Sequence, residues 1–160
     1  MNWIRFVMLL SLAIWLGSLI FFPLIAQTAF TELPSSHLAG LVVRSSLIKL
    51  HWIGMVCGVV FLACSLACNQ IAIGRTRPFA ARHILILLML ALTAISQFAI
   101  IPRMDAIRNA AGEISLIASN NPMRQQFDSL HAWSARIEET VLVLGLLVLY
   151  SVARRLAPRT

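Results

Sequence analysis

Charge is what this 160-residue sequence has least of. Only 12% of its residues are Asp, Glu, Lys or Arg, with six acids against thirteen bases. The scarcity is patterned. No charged residue interrupts 6–30, 50–74 or 84–102, and a shorter fourth stretch, 140–153, is also uncharged. A helix needs about 20 residues at 1.5 Å rise each to cross the hydrocarbon layer, so the first two runs can span with some tilt. Runs of this length, in a chain that is 59% hydrophobic with mean hydropathy +0.85, argue against a water-soluble helical protein. Cysteine is confined to Cys57, Cys64 and Cys68, all inside the second run, which excludes a secreted disulfide framework. Their spacing places them on one helical stripe, a position for a soft metal or, as is commoner, for small buried apolar side chains. Missing altogether are a glycine-rich phosphate loop, a nucleophile elbow and a paired-histidine zinc motif. Nothing in the sequence demands an enzyme. Internal repeats and low-complexity segments are absent too.

The net charge of +7 does not indicate nucleic acid, because the basic residues sit at the ends of the apolar runs and not among aromatics on a polar face. The partner they indicate is the lipid bilayer. Arg5 is a thin basic region, and the run after it is longer than the 7–15 residues of a signal-peptide core, so the first span is expected to be retained.

The sequence predicts an all-α protein: one integral membrane domain over 1–160, a four-helix up-down transmembrane bundle. Its spans are placed at about 3–27, 48–73, 80–101 and 133–155. Pro23 lies near the far end of the first helix, Gly17 and Ser18 are small enough mid-span to admit a neighbour, and Ser35 or Ser36 is suited to cap the next helix. Residues 38–47 read as a moderately apolar lead-in helix. Gly54 and Gly58 form a small-xxx-small face, suited to packing within the chain or to a homo-oligomer between copies. Pro102 should end or kink the third helix. Beyond it Met104, Ile107, Ala111, Ile114 and Ala118 keep helical spacing, which predicts a partly helical extramembrane connection between spans 3 and 4. Asn121 is placed to cap a long helix with Pro122 at its first position, running to Leu156. Fourteen uncharged residues cannot span alone, so this last crossing must draw Glu138 and Glu139 to the apolar layer.

If both termini are cytoplasmic, that side receives Arg5, Arg75, Arg77, Arg82, Arg154, Arg155 and Arg159 with no acid, while the other side takes six bases and all six acids. The dense basic turn and tail favour this N-in, C-in orientation.

That topology carries His51 and His131 to the outer ends of inward-facing helices, with Gln27 and Gln97 at a similar level. Glu138 lies seven residues after His131, on the same face and two turns deeper. These positions predict an outer-leaflet polar pocket of Gln27, His51, Gln97, His131 and Glu138. Three chemistries fit it. Ionisable residues at membrane depth commonly face a cavity and bind a substrate or ion. Two histidines on facing helices can ligate haem or a transition metal. Interhelical hydrogen bonds of about 1 kcal/mol or less can also merely fix register. His83 is expected at the cytoplasmic interface, His37 in a loop, and the internal methionines as gap fillers.

The residues also carry a family resemblance. Trp15-Leu16-Gly17-Ser18-Leu19-Ile20-Phe21-Phe22 is followed by Pro23, Phe30, Leu33-Pro34 and Ala39-Gly40. Then come His51-Trp52-Ile53-Gly54, Gly58, Pro102-Arg103-Met104, and Phe127 with His131. This order, from about Met8 to Leu149, resembles the transmembrane protein 205-like domain family, small bacterial multi-pass proteins long labelled a domain of unknown function. The resemblance implies a four-span protein of the bacterial cytoplasmic membrane with no established activity and no cofactor. The platinum-drug resistance associated with eukaryotic relatives is not carried over. More distantly, the layout is similar to copper-resistance protein D, which gives a haem- or metal-binding redox or metal-handling protein as the alternative, with His51 and His131 as ligands. It is also similar to membrane protoporphyrinogen oxidases, but the paired histidine-and-lysine signature of that family has no match here.

Overall fold

The computed structural model describes residues 2–73 and 81–156, and all regular structure among them is helical. The basic turn expected at 74–78 lies outside the described residues. α1 (Asn2–Glu32) and α2 (Ser36–Ile73) are joined by a three-residue bend. α3 (Ala81–Ile95) passes through a π-helical turn (Ser96–Ile100) into α4 (Ile101–Ala111). A short 3₁₀ turn (Ile114–Leu116) then leads to α5 (Pro122–Leu156).

Three segments are long and apolar enough to cross a membrane: Asn2–Glu32, Ser36–Ile71 and Ala81–Ala111. α5 has the length, at 35 residues, but Arg124, Asp128, Arg136, Glu138 and Glu139 make its first half polar. The outward faces suit lipid. Phe21 and Leu24 on α1, Val56 and Val59 on α2, Leu87 on α3 and Tyr150 on α5 are all more than half exposed, more apolar surface than a water-facing protein shows.

Several helices run further than the sequence predicts. α1 continues through Pro23 to Glu32. A proline removes one N–H and leaves one carbonyl four residues back unpaired, a defect that membrane helices tolerate. The lead-in helix and second span are one 38-residue rod, about 57 Å long at 1.5 Å per residue. Ser35 is its cap, its Oγ accepting the Leu38 N–H at 3.2 Å. Pro102 does not end the third helix. The Ile101 N–H donates to the Ser96 carbonyl, one residue further back than in an α-helix. This widened turn immediately precedes Pro102, which has no N–H to donate. The helix stops instead at Ala111, before the predicted Ala118, because Gly112 turns the chain with φ 71°. At the start of α5 the expected cap is present: the Met123 N–H donates to Asn121 Oδ1 at 2.9 Å.

The core sits where α1 and α2 face α3 and α5. Leu12, Trp15, Leu16, Phe61, Ile86, Met89, Val141 and Val148 are essentially sealed. In lipid, association of such faces rests on close packing more than on water exclusion. Gly54 and Gly58 provide it within the chain. A Cβ on Gly54 would lie 2.7 Å from Trp15 Cε2, and one on Gly58 would lie 2.6 Å from Leu90 Cδ2. Gly17 has open space around it. His83, in the first turn of α3, is 2% exposed and its Nε2 lies 2.8 Å from Ser65 Oγ.

Candidate functional site

Three of the five expected pocket residues meet. α2 delivers His51, which is 1% exposed. Its Nδ1 lies 2.9 Å from Gln97 Oε1 and its Nε2 lies 2.7 Å from Glu138 Oε1. The three come from α2, the π-turn and α5, so one imidazole ties three rods together. The π-turn positions Gln97. An extra residue in one helical turn advances the helix face by roughly 100°, and Gln97 lies inside that turn. Ser96, next to Gln97, and Ser134, one turn before Glu138, are buried with their hydroxyl oxygens 3.5 Å apart.

Glu138 also lines a cavity of ≈ 470 Å³, within the range of small-molecule sites. α1 and α2 supply apolar wall through Leu19, Phe22, Phe30 and Leu47, and Met104 and Phe127 close the other side. His131 lines this cavity from the exposed face of α5, on the same side of the helix as Glu138. Both ring nitrogens of His51 are taken by Gln97 and Glu138, not by His131. Gln27 stands apart. It is exposed and absent from the lining, because it is two residues, about 200° of helix, from Ala29, the buried position of that turn.

A charged rim, not expected from the sequence, borders the cavity. Asp105 on α4 receives a bidentate fork from Arg44 on α2, through Nε and Nη2, and Arg108 Nη1 lies 3.7 Å from the same carboxylate. Such forks fix geometry as well as charge. Arg108 also stands over the Phe127 ring, 5.5 Å from its centre. Arg124 pairs with Asp128 at 3.0 Å and donates to the Ile114 carbonyl at 2.8 Å, which pins the loop to α5. His37, expected in a loop, lies in the first turn of α2 and lines the cavity. Arg44 and Asp105 are 61 positions apart. Their only signal in the sequence is opposite charge at matched positions beside the apolar runs.

Cys57 is buried and Cys64 and Cys68 are half-buried, all as free thiols. Among the described residues no three His, Cys, Asp or Glu side chains are grouped as a metal-ligand set.

A family model described as a domain of unknown function, DUF4149, matches residues 10–113. No curated protein and no solved structure matches the chain. The matched stretch takes in His51, Gln97, Arg44 and Asp105 and stops before α5, which supplies Glu138 and His131.

Proposed function

The chain belongs to the DUF4149 family, a domain of unknown function, and we propose that it is a non-enzymatic membrane protein that binds a small amphipathic ligand in the cavity between α1, α2, α4 and α5. The observation that carries this reading is the cavity itself: ≈ 470 Å³, apolar in its body, with charged groups at its edge and an oriented carboxylate, Glu138, in its wall. A purely register-fixing polar contact needs no adjoining space. α5 then forms a fourth crossing from about Trp133, since Val143, Leu146, Leu147 and Tyr150 face outward as the lipid-facing residues of the other helices do. The layout is that of the transmembrane protein 205-like domain, on the motif residues from Trp15 to His131. We place it in the bacterial cytoplasmic membrane with both termini inside, so the cavity opens toward the outer leaflet.

The haem- or metal-handling alternative has less support. Ligation by His51 requires giving up one of its two bonds, to Gln97 or to Glu138. An absorption spectrum of haem-supplemented protein distinguishes the two, since a Soret band lost in His51→Ala would favour the alternative.

The binding reading is tested by filling the cavity. Ala135 lines it from α5, and Ala135→Phe should occupy the space without touching the His51 contacts. A panel of amphiphiles is screened by thermal unfolding of detergent-purified protein. A compound at 100 times its Kd stabilises the folded state by about 2.7 kcal/mol. At least one should raise the midpoint of the parent and not of the variant. Equal responses in both proteins across the panel overturn the reading.

A further inference from the structure

The charges around the cavity say more about its ligand, an inference that rests on the binding role above. They fall into two groups. At the rim, two aspartates answer three arginines: Asp105 holds Arg44 and Arg108, and Asp128 holds Arg124. From the loop comes Glu113, which accepts from Ser115 at 3.0 Å, and α1 contributes no titratable side chain to the lining. On the α5 wall, Glu138 and Glu139 stand with His131, and His37 faces in from the first turn of α2. Five carboxylates therefore line the space against three arginines. The surplus is negative, and it stands beside apolar walls.

Glu138 differs from the other carboxylates. Its Oε1 is held by a buried imidazole while its side chain borders the cavity. We propose that the cavity binds a lipophilic organic cation, an ammonium or phosphonium centre on an apolar body, against the Glu138 carboxylate.

The test uses three probes of similar bulk on the full-length protein in detergent: tetraphenylphosphonium, tetraphenylborate and neutral triphenylphosphine oxide. The phosphonium is a permanent cation, and calorimetry should show it binding tighter than the other two probes. In Glu138→Gln its affinity should fall at least tenfold, about 1.4 kcal/mol. Tighter binding of the borate, or equal binding of all three, overturns the cation site while leaving the ligand-binding role standing. Failure of all three probes, with folding intact, overturns the cation site, and the amphiphile screen with Ala135→Phe then decides the wider role.

Discussion

Gly54→Ala is the sharpest probe of how this helix cluster is held together. The added methyl would lie 2.7 Å from Trp15 Cε2 and 3.0 Å from Cδ1, whereas carbon atoms rest at about 3.5–4.0 Å. Trp15 is 1% exposed and sits between α1 and α2, so it has no free direction in which to retreat. Overpacking of this kind costs about 1–3 kcal/mol. Alanine returns about 1 kcal/mol through its better helix propensity. The net expectation is a loss of up to about 2 kcal/mol. Gly17→Ala is the matched control: it adds the same methyl to the neighbouring helix, where nothing lies within 4 Å, and should be neutral or slightly stabilising.

The assay is reversible unfolding in micelles followed by circular dichroism, with Trp15→Phe as a second background. The smaller ring makes room for the methyl, so Gly54→Ala should cost at least about 1 kcal/mol less in that background, a coupling that a double-mutant cycle resolves. Identical losses with and without Trp15 would refute the close-packing argument. Loss of an oligomer with unchanged monomer stability would instead place the Gly54 and Gly58 face between copies of the chain.

Three further outcomes are expected. His51→Ala and Glu138→Gln should be strongly non-additive, with a coupling of about 1–2 kcal/mol, near the top of the range for hydrogen bonds between membrane helices; additive losses would mean the 2.7 Å contact contributes nothing. Thr93 Oγ1 is buried with no partner among the described residues, and an unpaired hydroxyl costs about 1–3 kcal/mol. Thr93→Val, close to isosteric, should therefore raise the unfolding midpoint, and a lowered one would reveal a partner for that oxygen. Asp105→Asn should destabilise more than Arg44→Gln, because it strands two arginines while the latter leaves Asp105 its contact with Arg108. With side chains 36% and 23% exposed, the difference should be about 1 kcal/mol and shrink with added salt; equal losses at all salt concentrations would dissolve the triad.

How much of the architecture was legible in the sequence depends on the distance over which each feature is encoded. The apolar runs, the Ser35 and Asn121 caps and the long final helix are local, and the chain states them directly. The convergence of His51, Gln97 and Glu138 was within reach because each is a polar residue in or beside an apolar run, and polar groups at that depth must find one another. Gln27 misled for the same reason. A polar residue near the end of a helix can face outward at little cost, and its phase against Ala29 decides the matter. The arginine rim was not legible, since flanking charges are expected at span ends whether or not they pair.

The π-turn joins the two levels. Taken alone, Pro102 reads as a break, and a helix ending there would leave Asp105 and Arg108 in a separate segment, free of the orientation of Gln97. The extra residue at Ser96–Ile100 instead lets one rod run from Ala81 to Ala111. Gln97 and Asp105 are then fixed in relation to each other, eight residues apart on a single helix. The first meets His51 and the second meets Arg44, both on α2 and seven residues apart. Two rods are thus stitched twice, about two turns apart, and only the Arg44–Asp105 stitch borders the cavity.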